Sequence, residues 1–221
     1  GDRFLEIKDK GLILRDPNTG REEKANVKVI EKLLPGMKFD YILVVMQRTQ
    51  IGAVLENLSQ NCSENIVFVV NTSAGYEEWI RAIGADRLMI GFPSAGGERV
   101  NGVVNFFVGK GLMRCFQTTT FGEVSPRYTQ RVKHIIRAFN RCADMDAWQK
   151  THVAVVTSIA NALYGHNCDN KKLAASYKDI KSMVVGIKEG FCVLRQLKIR
   201  PTPQKLRLLF NMPAGLTAAA F

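Results

Sequence analysis

The chain is poor in the residues that small disulfide-rich, metal-binding and membrane proteins depend on. Its five cysteines, Cys62, Cys115, Cys142, Cys168 and Cys192, are odd in number, scattered, and never arranged as C-x-x-C. A disulfide framework or structural zinc site needs an even count or tight spacing, so free thiols in a reducing cytosol are expected, with no metal. No apolar run approaches the ~18–20 residues that span a bilayer. The longest, Tyr41 to Met46, is of strand length, and the first residues do not read as a secretory signal. A soluble, cytosolic protein with no membrane partner is the expectation. There is no G-x-S-x-G and no H-E-x-x-H, which argues against hydrolytic triads and zinc hydrolysis. The three histidines, His134, His152 and His166, are isolated from one another. No strand leads into G-x-G-x-x-G, the turn with which a dinucleotide fold normally opens.

Apolar residues make up 46% of the 221, enough for a sizeable core, and the length suggests two modest domains. The net charge of +11 invites a nucleic-acid reading. Its distribution argues otherwise: residues 171–221 hold ten Lys or Arg against Asp179 and Glu189. These are spread along apolar helical patterns without interleaved aromatics, which suits attraction of small anions rather than nucleic acid.

Along the chain, a turn at Asp16-Pro17-Asn18-Thr19-Gly20 separates two short extended stretches, a hairpin or sheet edge. Then come a buried strand at 41–46, a helix at 49–60, a strand at 66–70, a helix at 77–83 and a strand at 87–90. This alternation marks a parallel sheet with right-handed crossovers. Ligands of such sheets bind beyond the carboxyl ends of the strands, here 47–50, 71–75 and 91–97. Two antiparallel strands are expected at 103–108 and 112–117, and an amphipathic helix at 127–140. Helices follow at 144–164, 171–198 and 203–210. The division is an α/β half, residues 1–124, and an all-α half, residues 125–221. The helix ending near Arg141 runs almost directly into the next at Cys142, so the chain reads as incomplete there as well as at both ends.

Four places could carry chemistry. Lys150, in Trp148-Gln149-Lys150, shares a helix face with Ala154 and Ser158 amid apolar neighbours. Desolvation would make it a usable general acid; the alternative is a lysine snorkelling from a helix start. Asn71 ends a buried strand and could bind a ligand, or cap the helix that begins near Tyr76. The segment Gly91 to Gly97 allows close backbone approach to a ligand, or merely a tight turn. The segment Gln47 to Gln50 lies at the third strand end.

Taken in order, these pieces resemble ketopantoate reductase (2-dehydropantoate 2-reductase). The family shows a strand into a segment ending in Gln (here Val45 to Gln50) and a strand into Asn-Gly-x-Gly with acids after it (Asn71 to Ala74, then Glu77 and Glu78). A strand into a Gly- and Ala-rich loop follows (Gly91 to Gly97), and then a Trp-x-Lys helix (Trp148 to Lys150). The resemblance implies a Rossmann-type dinucleotide-binding domain over 1–124 and a helical substrate and dimerisation domain over 125–221. It also implies NADPH as hydride donor, a 2-oxo acid in the cleft between domains, a place in pantothenate biosynthesis, and leaves room for a homodimer. Lys150 would protonate the carbonyl oxygen. Gln47, Gln50, Asn71 and Ala95 would contact the cofactor; Asn71, Ala154 and Ser158 would contact the substrate.

The departures are specific. Gln47 stands where the family usually has Lys, and Thr72 where it has Gly. Ala154 and Ser158 replace two asparagines that orient the substrate. The Gly-rich phosphate-binding turn and the stretch with a substrate-contacting glutamate are missing, and the strand that precedes the Trp-x-Lys helix has too little chain. These departures motivate the alternative of a non-catalytic dinucleotide-binding sensor or interaction protein of the same fold.

Overall fold

A computed structural model describes residues 2–108, 118–127, 129–136, 140–141 and 144–219. The chain forms two compact units, residues 1–71 with 76–143, and residues 72–75 with 144–221.

The first unit holds two sheets. The larger has the order β3 (Ile42–Val44), β4 (Ile66–Val69), β5 (Leu88–Phe92), β8 (Thr120–Glu123), β9 (Asn140–Arg141). Strands β3, β4 and β5 run parallel, with Ile42 opposite Ile66 and Ile66 opposite Leu88; β8 is antiparallel to β5. Crossovers are made by α2 (Arg48–Ile51), a 3₁₀ turn and α3 (Leu55–Gln60), then by α4 (Glu77–Ile83). β4 and β5 are buried along their whole length, as a sheet covered on both faces requires. β3, at the end of the sheet order, is shorter than the buried strand expected over 41–46 and leaves Leu43 and Val45 exposed. Alternate residues serve opposite faces. Phe68 meets Trp79 of α4 edge-on at 4.8 Å. Val67, Val69, Met89 and Phe121 instead form a cluster with Val132 of α5 (Gln130–Ile135). Among the described residues, no helix is long and apolar enough to cross a membrane.

The smaller sheet has the order β2 (Glu22–Ala25), β1 (Leu12–Arg15), β7 (Val103–Val108), β6 (Ala95–Val100). The expected hairpin is β1 and β2: its turn is closed by Asp16, whose carboxylate accepts the Asn18 N–H at 2.9 Å. Ahead of it, α1 (Asp2–Lys10) occupies residues that the sequence reading left without a helix.

The strand expected at 103–108 forms, and two expected helices need correction. Val103–Val108 pairs antiparallel with Ala95–Val100 across Asn101 and Gly102, which both take positive φ (49° and 83°). That is the Asn-Gly turn whose twist matches two antiparallel strands. Residues 112–117 lie outside the described set. The helix expected over 127–140 closes at Ile135, and Asn140–Arg141 forms a short strand parallel to β8. A strand therefore does precede the Trp-x-Lys helix, in abbreviated form. Finally, the long helix expected over 171–198 is two, α7 (Asn170–Ala175) and α8 (Tyr177–Gln196). Ser176 breaks it with non-helical dihedrals and donates its hydroxyl to Asp179 at 2.5 Å.

The second unit is helical: α6 (Met145–Gly165), α7, α8, α9 (Gln204–Asn211) and α10 (Ala214–Ala218). Its core gathers Leu173, Ile180, Val184, Ile187, Phe191 and Phe210 against Val155, Ile159 and Leu163 of α6.

Candidate functional site

The carboxyl ends of β3, β4 and β5 bring three of the candidate segments to one edge of the larger sheet. Gln47 stands just before α2, its N–H donating to the Gln50 side-chain oxygen at 3.3 Å, so this glutamine pair opens the helix. Both are exposed. Beside them Arg48, which the sequence reading passed over, lays its guanidinium over the Trp79 ring, 5.0 Å from the centroid. That contact holds a cation one position along from the Gln47 that stands for the expected lysine.

Asn71 follows β4 and is exposed. It does not cap α4: the residue in that position is Tyr76, with no side-chain cap. Thr72, where the resemblance expects glycine, is buried, and its hydroxyl accepts the Ala74 N–H at 3.2 Å. The turn after β4 is thus shaped by Thr72, and Asn71 is left facing outward.

The glycines of β5 and β6 lie close against neighbouring strands. A Cβ on Gly91 would stand 2.8 Å from the ring of Phe121, its cross-strand neighbour. A Cβ on Gly96 would run into the ring of Phe107, and one on Gly97 into the Asn105 carbonyl. Glycine here lets aromatic rings lie flat across neighbouring strands. Ala95 begins β6 and is exposed.

In the helical unit, Lys150 sits on a turn that is anchored around it. Asp144 caps α6, accepting the Ala147 N–H at 2.9 Å. Trp148, Gln149 and Thr151 are buried, at 6%, 1% and 0% exposure. Thr151 donates its hydroxyl to the Ala147 carbonyl at 2.7 Å and accepts the Thr202 N–H at 3.0 Å. Lys150 emerges between these residues, its side chain 28% exposed, and its ammonium donates to Asp146 Oδ2 at 2.6 Å. His152, one turn on from Trp148, stacks on it with ring centroids 5.8 Å apart. Burial holds its proton affinity below the ordinary histidine value.

Ala154 and Ser158 face α8 where that helix carries Gly190 and Gly186. A Cβ on Gly190 would come within 2.9 Å of the Ala154 Cβ, and one on Gly186 within 3.0 Å of the Ser158 hydroxyl. Small residues on both sides let the two helices touch closely. Toward the far end of α6 the helices part around a cleft of about 430 Å³, lined by Ser158, Asn161, His166, Asp179 and Ser182 among others. His166 and Asp179 are paired across it at 3.0 Å. Ser158 thus borders this cleft, whereas Lys150 and Ala154 are not among its lining residues. Among the described residues, no three His, Cys, Asp or Glu side chains converge to hold a metal.

These features are those of a mixed α/β unit followed by a helical one, with polar residues at a parallel sheet's carboxyl edge and a lysine on the first long helix. The family model described as ketopantoate reductase PanE/ApbA matches residues 1–122, and the chain belongs to that family. Among solved structures it is similar to D-mandelate dehydrogenase in a ternary structure with NADH and anilino(oxo)acetate. There the TM-score is 0.70 at 13% identity, covering 99% of this chain and 68% of that one. The probable 2-dehydropantoate 2-reductase of Bacillus subtilis gives 0.69 at 14% identity, covering 99% and 70%. The 2-dehydropantoate 2-reductase of Methylococcus capsulatus gives 0.70 at 15% identity, covering 99% and 69%. No curated protein sequence matches significantly.

Proposed function

We propose that the chain acts in the cytosol as an NADPH-dependent reductase of a 2-oxo acid, with 2-dehydropantoate, reduced to pantoate, as its first candidate substrate. The observation that carries this reading is Lys150: a lysine on an anchored helical turn, half-buried, with its ammonium held by a carboxylate. Residues 1–124 take the dinucleotide-binding role, and residues 125–221 the substrate and dimerisation roles. The residues at the sheet edge suit a dinucleotide, because Gln47, Gln50 and Asn71 are exposed polar side chains at the carboxyl ends of adjacent parallel strands. NADPH would supply the hydride. The remaining work falls to side chains. Gln47, Gln50, Asn71 and the backbone around Ala95 hold the cofactor, and Asn71 also reaches the substrate. Lys150 gives its proton to the carbonyl oxygen as negative charge develops there. Ser158 contributes a hydroxyl on the substrate side and Ala154 only a methyl group.

One observation favours the second reading, a dinucleotide-binding sensor without turnover: Ala154, where the resemblance expects an orienting asparagine, offers only a methyl group and lies close to Gly190. The deciding experiment follows NADPH oxidation by the purified protein with 2-dehydropantoate, then with other 2-oxo acids, including aryl ones, and with NADH. Turnover is expected, and Lys150→Ala is expected to lower it by at least ~10²-fold, in the range for general acid catalysis, while NADPH still binds. NADPH binding without turnover on any 2-oxo acid would establish the second reading. Unchanged turnover in Lys150→Ala would remove Lys150 from the chemistry.

A further inference from the structure

The acid one turn before Lys150 was not among the candidates drawn from the sequence, and its geometry gives it a role. We propose that Asp146 is the positioning residue for Lys150, fixing where the ammonium offers its proton; this rests on the reading of Lys150 as proton donor. Side chains on a helix lean toward its N-terminus, so the Lys150 stem runs back over the first turn of α6. There it meets Asp146, and the contact is short, 2.6 Å from Nζ to Oδ2. The helix end carries a partial positive charge that repels an ammonium. Asp146, in the first turn, supplies the negative charge that keeps the ammonium there.

An ordinary surface pair of this spacing contributes little and leaves its lysine free to swing. Two features set this one apart. The backbone under it is fixed by Asp144, Thr151 and the buried Trp148 and Gln149, so the lysine's origin cannot shift. The lysine itself is more than two-thirds covered, its side chain 28% exposed, so few directions remain open to it. With the stem confined and the tip tied at one point, Asp146 selects a single ammonium position. Proton donation demands such placement, because displacing a reacting group by about 1 Å can lower a rate ~10²-fold. Asp146 itself takes no proton in the step: the proton leaves Nζ for the carbonyl oxygen, and the amine is recharged from water.

The test compares Asp146→Asn, Asp146→Glu and Lys150→Ala with the unaltered protein, in two readouts. In steady-state reduction, Asp146→Asn is expected to lower kcat about 10- to 100-fold with KM for the 2-oxo acid changed less than about threefold, and Asp146→Glu to recover most of the rate. In acylation by acetic anhydride, followed at Lys150 by peptide mass spectrometry, Asp146→Asn is expected to raise the modification rate severalfold at fixed pH. A structural role alone would move neither the kcat-to-KM split nor Lys150 reactivity. If Asp146→Asn keeps kcat within twofold while Lys150→Ala is inactive, the positioning role is overturned and the proton-donor reading stands. Equal loss in Asp146→Glu and Asp146→Asn, or unchanged acylation, also overturns it. If Lys150→Ala keeps full activity, or the unaltered protein has none, the underlying reading fails and this inference with it.

Discussion

Alanine placed at three glycines of the helical unit should move stability in different directions, and the close packing of α6 on α8 sets the order. An alanine in a helix interior is worth roughly 1 kcal/mol over glycine when nothing obstructs it. Gly165, near the end of α6, has nothing within 4 Å of its would-be Cβ, so Gly165→Ala is expected to stabilise by up to that amount. At Gly186 the nearest atom is the Ser158 hydroxyl at 3.0 Å, which can rotate away, so the substitution is expected to fall near neutral. Gly190 faces the Ala154 Cβ at 2.9 Å, and an alanine methyl group has nowhere to turn. Carbon atoms rest at about 3.5–4.0 Å, so the helices would have to part by ~0.6–1.1 Å along their line of contact. Overpacking of that kind costs about 1–3 kcal/mol, leaving Gly190→Ala destabilised by ~0–2 kcal/mol after the helix gain. Thermal unfolding by circular dichroism, with Trp148 fluorescence reporting on α6, measures all three. Gly190→Ala as stable as Gly165→Ala would refute the close-packing argument.

Two further outcomes follow from buried charge. Glu123 is fully buried, accepts the Arg131 Nε–H at 2.9 Å, and also bonds the Arg131 Nη2 and the Thr129 hydroxyl. Arg131→Met strands the carboxylate, which is expected to cost ~3–5 kcal/mol in urea denaturation; Glu123→Leu in the same chain should restore most of it. His152 binds its proton less readily folded than unfolded. Its contribution to stability is therefore complete above the ordinary histidine range and is lost as pH falls through about 6.5, by at most ~1.4 kcal/mol per pH unit. His152→Phe, which keeps a ring against Trp148, should flatten that slope relative to the unaltered protein; identical slopes would remove His152 as the cause.

The larger sheet was legible because β4 and β5 are continuous apolar runs separated by amphipathic helices, and its carboxyl edge followed from that alternation. The smaller sheet was legible in its β1–β2 hairpin and in β7 but not in β6, which is glycine- and charge-rich and whose pairing hangs on Asn101-Gly102, two residues inside a stretch that looked like loop. Ser176 shows a similar limit: periodicity carries through 171–198, and one serine with non-helical dihedrals, its hydroxyl on Asp179, breaks the helix. At the candidate site, the helical place of Lys150 was legible, while its ion pair with Asp146 was not among the expectations. Asp146, four residues N-terminal to a lysine, is the favourable orientation for a helical ion pair, and that spacing could have revealed it. The contact of Ala154 and Ser158 with Gly190 and Gly186 had a signal too: small residues four apart on two helices, Ala154 with Ser158 and Gly186 with Gly190.

Under the proposed function, that contact bears on substrate choice. A site that hydrogen-bonds a substrate hydroxyl rejects analogues lacking it by ~10⁴–10⁵, because its own buried polar groups are then left unpaired. With Ala154 and Ser158 in place of amides, and Ala154 packed on Gly190, that penalty has no group to fall on at position 154. Discrimination by shape alone yields about 10- to 200-fold. Under the proposed function, the ratio of kcat/KM between 2-dehydropantoate and a 2-oxo acid of the same carbon skeleton without the hydroxyl should therefore lie below ~200. Competition between the two substrates in one assay, with each product resolved by chromatography, measures the ratio directly. A value above ~10⁴ would mean that other polar groups read the hydroxyl, and that the small residues on α6 serve helix packing without relaxing selectivity.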